Sequence, residues 1–329
     1  MITPVPRTPL RRCCSTVKAI SKNIPPSGLI LLHKQPGITS FDALRDIKRA
    51  IGSGKAGHTG TLDKFAEGLM LVLTGRTLKL SKWFTHCDKQ YEGMIRFGAE
   101  TDTLDPEGVV IATASLSERD RVEQVLSQFK GEIEQTPPAY SAIHINGERA
   151  SALARQGKSP EMHKRSVTIY SLELLSWKPP FAKIFVHCSS GTYIRSLARD
   201  IAIAAGSRGH LVSLLRTQVA GFRLNEAMNN EDLGEGKKNF LHPIDKRVFD
   251  KLGIPCIDIS SEDARRVIHG KSLMHIIGSN PALAGVTSNT AALFLNDELI
   301  AVIEKNLTVT PNAAIAAPSW NYGYVYANS

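Results

Sequence analysis

No stretch of this 329-residue chain is apolar for anything near the roughly 20 positions that a bilayer-crossing helix requires, and its apolar runs are broken by glycine or charge. No membrane role is expected of it. The five cysteines, Cys13, Cys14, Cys87, Cys188 and Cys256, are odd in number, scattered and free of any C-x-x-C pair. That argues against a disulfide framework or a zinc ribbon and for a reducing, cytoplasmic compartment. The ten histidines include no H-E-x-x-H and no close His/Cys group of ligand spacing, so no metal is expected. There is no G-x-S-x-G elbow for covalent serine chemistry, no internal repeat and no low-complexity tract. "GSGKAG" from Gly52 to Gly57 matches a dinucleotide fingerprint by letter only, because it follows a helical segment instead of a strand. As a P-loop it fails too, with Arg49 in place of the first glycine and Ala56 in place of Ser or Thr.

Acid is also missing before Asp42, whereas Arg7, Arg11, Arg12, Lys18, Lys22 and Lys34 precede it and Arg45, Lys48, Arg49 and Lys55 follow. Overall 40 Lys and Arg face 31 Asp and Glu, a formal net charge of +9 concentrated toward the amino terminus. A polyanion is the partner class this suggests, although basic excess also serves solubility. Residues 1–27 are polar, proline-containing and basic, and are expected to form a disordered extension; their Arg and Ser content without acid also fits a transit peptide.

"LILLHK" reads as a buried strand and "ITSFDALRDIKRAIG" as a helix capped by Ser40, with Phe41, Leu44, Ile47 and Ile51 on one face. "LMLVLTG" reads as a second buried strand and "RTLKLSKWF" as a helix. "KQYEGMIRFG" alternates like a half-buried strand, placing Tyr91, Gly93, Ile95 and Phe97 together. "SLSERDRVEQVLSQFKG" predicts a helix with Ser117 and Asp120 in capping-box spacing. "AKIFVHCSSGTY" is a strand passing into the helix "IRSLARDIAIAAG", whose core face is Ile194, Leu197, Ala198 and Ile201. Strands and helices do not alternate regularly, so the class is α+β. Residues 28–250 form the main domain, with a mobile, Pro-rich insertion at about 132–160. Residues 251–329 form a small, mostly β domain containing a hairpin that turns at Asn296-Asp297.

Between these elements, "GHTGTLDKFAEG" sets Asp63 among small residues in a loop that enters the core. Small neighbours let another backbone approach, and basic helices flank the loop, so a phosphodiester could cross it with a nucleotide directed inward. "HTGTLDKFAEGLMLVLTGRTLKL" resembles the catalytic signature of the TruB family of pseudouridine synthases. The likeness extends to "HKQPGITSFDALRDIKR", "KQYEGMIRFGAETDTLDPEG", "QTPPAYSAIHINGERASALAR", and "GTYIRSLARDI" with "GHLVSLLRT", in family order across most of residues 28–250.

The resemblance implies a pseudouridine synthase fold with a mixed, largely antiparallel central sheet and a carboxy-terminal PUA-like RNA-binding domain. The implied reaction is isomerisation of uridine to pseudouridine at position 55 in the T-loop of tRNA, by a monomer, with no cofactor and no metal. Asp63 is implied as the nucleophile, attacking ribose C1′ or uracil C6. Arg195 is implied to pair with Asp63 and keep it ionised, and Tyr91 to stack on the base and assist proton transfer. Tyr193 and Leu214 are implied to support and pack the site, His58 to fill the space of the flipped base, and Lys34 to hold the loop. Lys48, Arg49, Lys55, Arg149 and Arg155 are candidate phosphate contacts.

The chain departs from the family pattern at Lys64, where proline is common, at His33, where an acid or amide is usual, and at His144, where lysine is usual. Two other readings stay open: an inactive tRNA-binding or folding module, and a synthase of the guide-RNA type.

Overall fold

The computed structural model describes residues 26–229, 240–280, 283, 285–306 and 319–326. The expected basic extension therefore lies outside the described residues, apart from its last two. The strands are β1 (Gly28–Lys34), β2 (Ala56–His58), β3 (Glu67–Thr74), β4 (Lys89–Phe97), the hairpin β5 (Ala99–Thr101) and β6 (Val110–Thr113), β7 (Gly131–Gln135), and the hairpin β8 (His144–Ile145) and β9 (Glu148–Arg149). They continue with β10 (Arg165–Lys178), β11 (Phe181–Cys188), β12 (Gly209–Val219), β13 (Phe222–Arg223) and β14 (Met228–Asn229). Apart from the two hairpins they make one sheet in the order β14-β1-β3-β12-β4-β11-β10-β7, with β2 on β3 and β13 on β12. Only the β1–β14 and β3–β12 pairs are parallel, so the sheet is mixed and largely antiparallel.

Helices α1 (Ser40–Ala50), α2 (Ser81–Thr85), α3 (Arg119–Leu126), α4 (Ala150–Arg155) and α5 (Ile194–Ala204) join these strands. Ile194, Leu197, Ala198 and Ile201 of α5 are buried with Ile95, Ile184 and Val186 of the sheet, the face that the 3.6-residue period marked. β4 alternates as its sequence predicts, with Tyr91, Gly93, Ile95 and Phe97 inward.

Three local expectations need correction. Thr39, not Ser40, caps α1: its hydroxyl accepts from Asp42 N at 3.1 Å, and the Asp42 carboxylate accepts from Thr39 N at 3.3 Å. Phe41 does not join the apolar face of α1. It is 72% exposed, whereas Ala43, Leu44, Ile47 and Ile51 are buried. Helix α3 begins without a side-chain cap, because the Ser117 hydroxyl donates instead to Ala205 O at 2.9 Å. In addition, "RTLKLSKWF" splits into a 3-10 turn over Gly75–Leu80 and the short α2, with the Thr77 hydroxyl turned back to Thr74 O and Gly28 O.

Beyond α6 (Lys246–Lys251) come β15 (Cys256–Asp258), α7 (Ser261–Ile268), α8 (Met274–Ser279), β16 (Thr290–Leu295), β17 (Glu298–Asn306) and β18 (Ser319–Val325). The four strands form a separate sheet in chain order. Asn296 and Asp297 turn the β16–β17 hairpin with φ of 48° and 65°, the left-handed pair that a two-residue hairpin turn needs. This sheet shares a core with the large one: Phe294, Leu299 and Val302 pack with Leu71, Leu73, Phe84 and Val219. Across the seam the Trp83 indole donates to Glu304 at 3.0 Å. No described helix is long and apolar enough to cross a membrane.

Gly68 sets the β3–β12 contact. Its φ is +121°, and a Cβ there would stand 2.4 Å from Arg216 O and 2.6 Å from Arg216 N. Both walls are backbone and cannot rotate away. Gly68→Ala is expected to cost about 4 kcal/mol, through strain and forced strand separation, read as a lowered urea midpoint. An unchanged midpoint would contradict this packing.

Candidate active site

The segment from Thr59 to Lys64 lies against Arg216 of β12 and is fixed from three sides. From beneath, the fully buried Lys34 donates to Ala66 O at 2.7 Å, Gln35 O at 3.0 Å and Lys64 O at 3.4 Å. Burial pushes its ammonium pKa down to about 8. From the sheet, the buried Arg216 donates to Leu69 O at 2.7 Å, Gly60 O at 3.0 Å and Thr61 O at 3.3 Å. From α1, the Ser40 hydroxyl accepts from Leu62 N at 2.9 Å and donates to Leu62 O at 2.8 Å.

Asp63 follows, at the floor of a cleft of about 490 Å³ that Tyr91, Tyr193, Arg195 and Leu214 also line. The Arg195 Nε lies 2.9 Å from Asp63 Oδ2, an ion-pair contact whose angle is too poor for a hydrogen bond. The hydrogen bond itself runs from Arg195 Nη2 to Asp63 Oδ1 at 3.2 Å. The rest of the guanidinium is also engaged, donating to Tyr140 O at 3.0 Å, Thr103 O at 2.8 Å and Asp105 Oδ2 at 3.2 Å. Asp105 is held in turn by the Thr103 hydroxyl at 2.6 Å and Glu107 N at 3.0 Å. Gln135 bonds both Tyr193 N at 2.8 Å and Tyr193 O at 3.1 Å, fixing the start of α5 and hence Arg195.

Burial pushes the Asp63 carboxyl above the usual carboxylate range, and Asp105 adds to this; Arg195 and Lys34 oppose it without prevailing. The sequence expectation counted only the Arg195 attraction. Solvent still reaches 38% of the Asp63 side chain through the cleft mouth and moderates the rise. Burial likewise raises the Tyr91 phenol, against the pull of Arg216 beside it, so it stays protonated at neutral pH.

The cleft thus gathers Asp63, Arg195, Tyr91, Tyr193 and Leu214, with Arg149 and Arg155 of the insertion also lining it. Other expected substrate contacts fall elsewhere. Lys34 is wholly buried under the loop and props it, as the resemblance implies, without reaching the cleft. His58 lies on β2 paired with Val72, outside the cleft lining, and burial lowers its pKa so that its ring is neutral. Lys48, Arg49 and Lys55 lie outside the cleft lining: Lys48 stands 5.4 Å from the Phe41 ring centroid and Arg49 pairs with Asp46 at 3.3 Å. Asp105, Arg216 and Gln135 were not singled out from sequence. The Thr103-x-Asp105-Pro106 turn and an arginine inside the apolar β12 were the available signals.

A larger, more open depression of about 760 Å³ lies at the seam of the two sheets, lined by Trp83, His86, Lys251 and Glu304. It lacks an acid poised on a buried guanidinium, so the chemistry argues for the smaller cleft.

The fold matches that of a chain in a solved Cbf5-Nop10-Gar1 complex, with a TM-score of 0.66 over 91% of this chain and 85% of that one at 24% identity. That likeness shows a shared fold, and the sequence relatives show the class. Residues 48–194 match the family model described as TruB family pseudouridylate synthase, N terminal domain. The tRNA pseudouridine synthase B of Borreliella burgdorferi (strain ZS7) is 42% identical over 231 residues, 69% of this chain and 81% of that protein. The protein of the same name from Pseudomonas aeruginosa (strain UCBPP-PA14) is 38% identical over 264 residues, 78% of this chain and 85% of that one. The chain belongs to the TruB family of pseudouridylate synthases, and is accordingly an isomerase.

Proposed function

We propose that this chain converts uridine to pseudouridine at position 55 in the T-loop of tRNA, with Asp63 as nucleophile. The observation that carries the assignment is a single carboxylate at the floor of a base-sized cleft, clamped by a buried guanidinium. Asp63 attacks the flipped nucleotide at ribose C1′ or uracil C6, the C1′–N1 bond breaks, and the base turns. A C1′–C5 bond then forms, the bond from Asp63 to C1′ or C6 breaks with its electron pair returning to the carboxylate, the C5 proton leaves to solvent and N1 takes up a proton. Product and substrate are isomers, and no electron is transferred. Arg195 holds the attacking oxygens and spreads their charge. Tyr91, protonated and buried, packs the base and directs a hydroxyl toward it, with Leu214 opposite. Flipping a loop uridine costs a few kcal/mol, offset by phosphate contacts and stacking, for which Arg149 and Arg155 are placed.

The cleft is complete within one chain, which supports a monomeric enzyme. The described cysteines, Cys87, Cys188 and Cys256, are free, which supports a reducing, cytoplasmic setting. We read the four-stranded sheet as the PUA-like RNA-binding unit. Purified chain alone, without guide RNA or partner protein, should release tritium from tRNA carrying 5-tritiated uridine, and no release would refute the reading.

The raised Asp63 pKa sets a pH dependence. Only the carboxylate attacks, so turnover falls as pH drops through that pKa, at a pH above the ~4 of an ordinary aspartate. Asp105→Asn removes the neighbouring like charge, lowers the Asp63 pKa and should carry the acid limb to lower pH. A limb that stays in place or moves upward in the pH–rate profile would contradict the coupling.

A further inference from the structure

Phe41 is 72% exposed, on a helix whose period would let it pack inward. A singly exposed apolar ring means little by itself, but this one is specifically placed. It is the second residue of α1, whose first, Ser40, is tied through its hydroxyl to both N and O of Leu62, next to Asp63. Gly37 N donates to Lys64 O at 2.8 Å, so the chain entering α1 is pinned on the other side of Asp63 too. The Phe41 ring therefore stands on a rigid support beside the loop that carries the nucleophile.

Residues 41, 45 and 48 share one helical stripe by their spacing. Arg45 is exposed on it, and Lys48 stands with its ammonium 5.4 Å from the Phe41 ring centroid. An aromatic face with an ammonium beside it and a guanidinium one turn further along the same stripe matches an unpaired nucleotide: the ring takes the base and the cations take the phosphates. Such nucleotides arise where a loop uridine is flipped, because its neighbours lose a stacking partner.

Resting on the RNA-substrate reading above, we infer that Phe41, with Arg45 and Lys48, is a stacking platform for an unpaired base of the substrate RNA outside the cleft. The occupant is RNA: Arg45, exposed and loosely paired with Asp42 at 3.7 Å, and Lys48 offer charge to phosphates while the ring offers a face to a base. The platform contributes affinity and takes no part in bond making.

The test compares full-length wild type, Phe41→Ala and Phe41→Trp on unmodified tRNA. Phe41→Ala should raise Kd and KM about tenfold, the range of one base–aromatic stack, with kcat and thermal midpoint unmoved. Phe41→Trp should restore binding, and its added indole emission should be quenched by tRNA. Wild-type binding in Phe41→Ala, or emission from Phe41→Trp that tRNA leaves unchanged, would overturn the platform alone, provided that wild type binds and modifies tRNA. A wild type that does neither overturns the substrate reading and this inference together.

Discussion

Asp63→Asn is expected to abolish turnover, lowering it by about 10⁴-fold or more, while tRNA affinity stays within a few fold of wild type. A loss of that size is about 5.5 kcal/mol of transition-state stabilisation, the scale of removing a nucleophile and not of loosening a contact. The amide keeps the shape and can still accept from Arg195, so the loop held by Lys34, Arg216 and Ser40 has no reason to move. Stability should not fall either. Burial disfavours the Asp63 charge, and a neutral group is spared that cost. Tritium release and filter binding check the two halves of the expectation. A variant that turns over normally would remove Asp63 from the chemistry, and one that also lost binding would show that the substitution disturbed the loop.

Arg195→Ala should damage both chemistry and fold. Its side chain is 4% exposed and serves Asp63, Asp105, Thr103 O and Tyr140 O at once. Alanine leaves two carboxylates sharing a cavity with no cation and two carbonyls without their donor. Losing one partner of a buried ion pair costs about 3–5 kcal/mol, which a urea midpoint would show. Turnover should fall about 10³-fold, through loss of the group that aligns the nucleophile. Arg195→Lys should recover little, since an ammonium cannot fork across two carboxylates and two carbonyls. Full activity in Arg195→Lys would show that charge alone suffices.

Elements whose pattern and partners lie close in sequence were legible beforehand. β1, the alternation of β4, the buried face of α5 and the Asn296-Asp297 turn follow from local periodicity and turn chemistry. What could not be read depends on contacts distant in the chain. Arg216 gains its three carbonyl partners only because β3 and β12 run parallel where Gly68 permits close approach. Asp105 reaches Arg195 through a turn 90 residues upstream of it. Phe41 fits the helical period, but period alone does not say whether another element covers it, and none of the described residues does.

The site divides along the same line. The resemblance brought out Asp63, Arg195, Tyr91, Tyr193 and Leu214, and the fold gathers them around one cleft. Lys34 holds the loop from beneath, the role the resemblance implies, whereas the ring of His58, five residues before Asp63, is taken up on β2. Closeness to Asp63 in sequence did not show that the His58 ring lies outside the cleft lining.

The central claim is that one carboxylate isomerises one flipped uridine in the T-loop. Nucleotide-resolution mapping of an unmodified tRNA transcript, after incubation with purified wild type and with Asp63→Asn, tests it most directly. Wild type should place pseudouridine at T-loop position 55 and nowhere else, and Asp63→Asn should leave every uridine unchanged. Pseudouridine made by the variant, or a wild type that leaves position 55 as uridine, would contradict it.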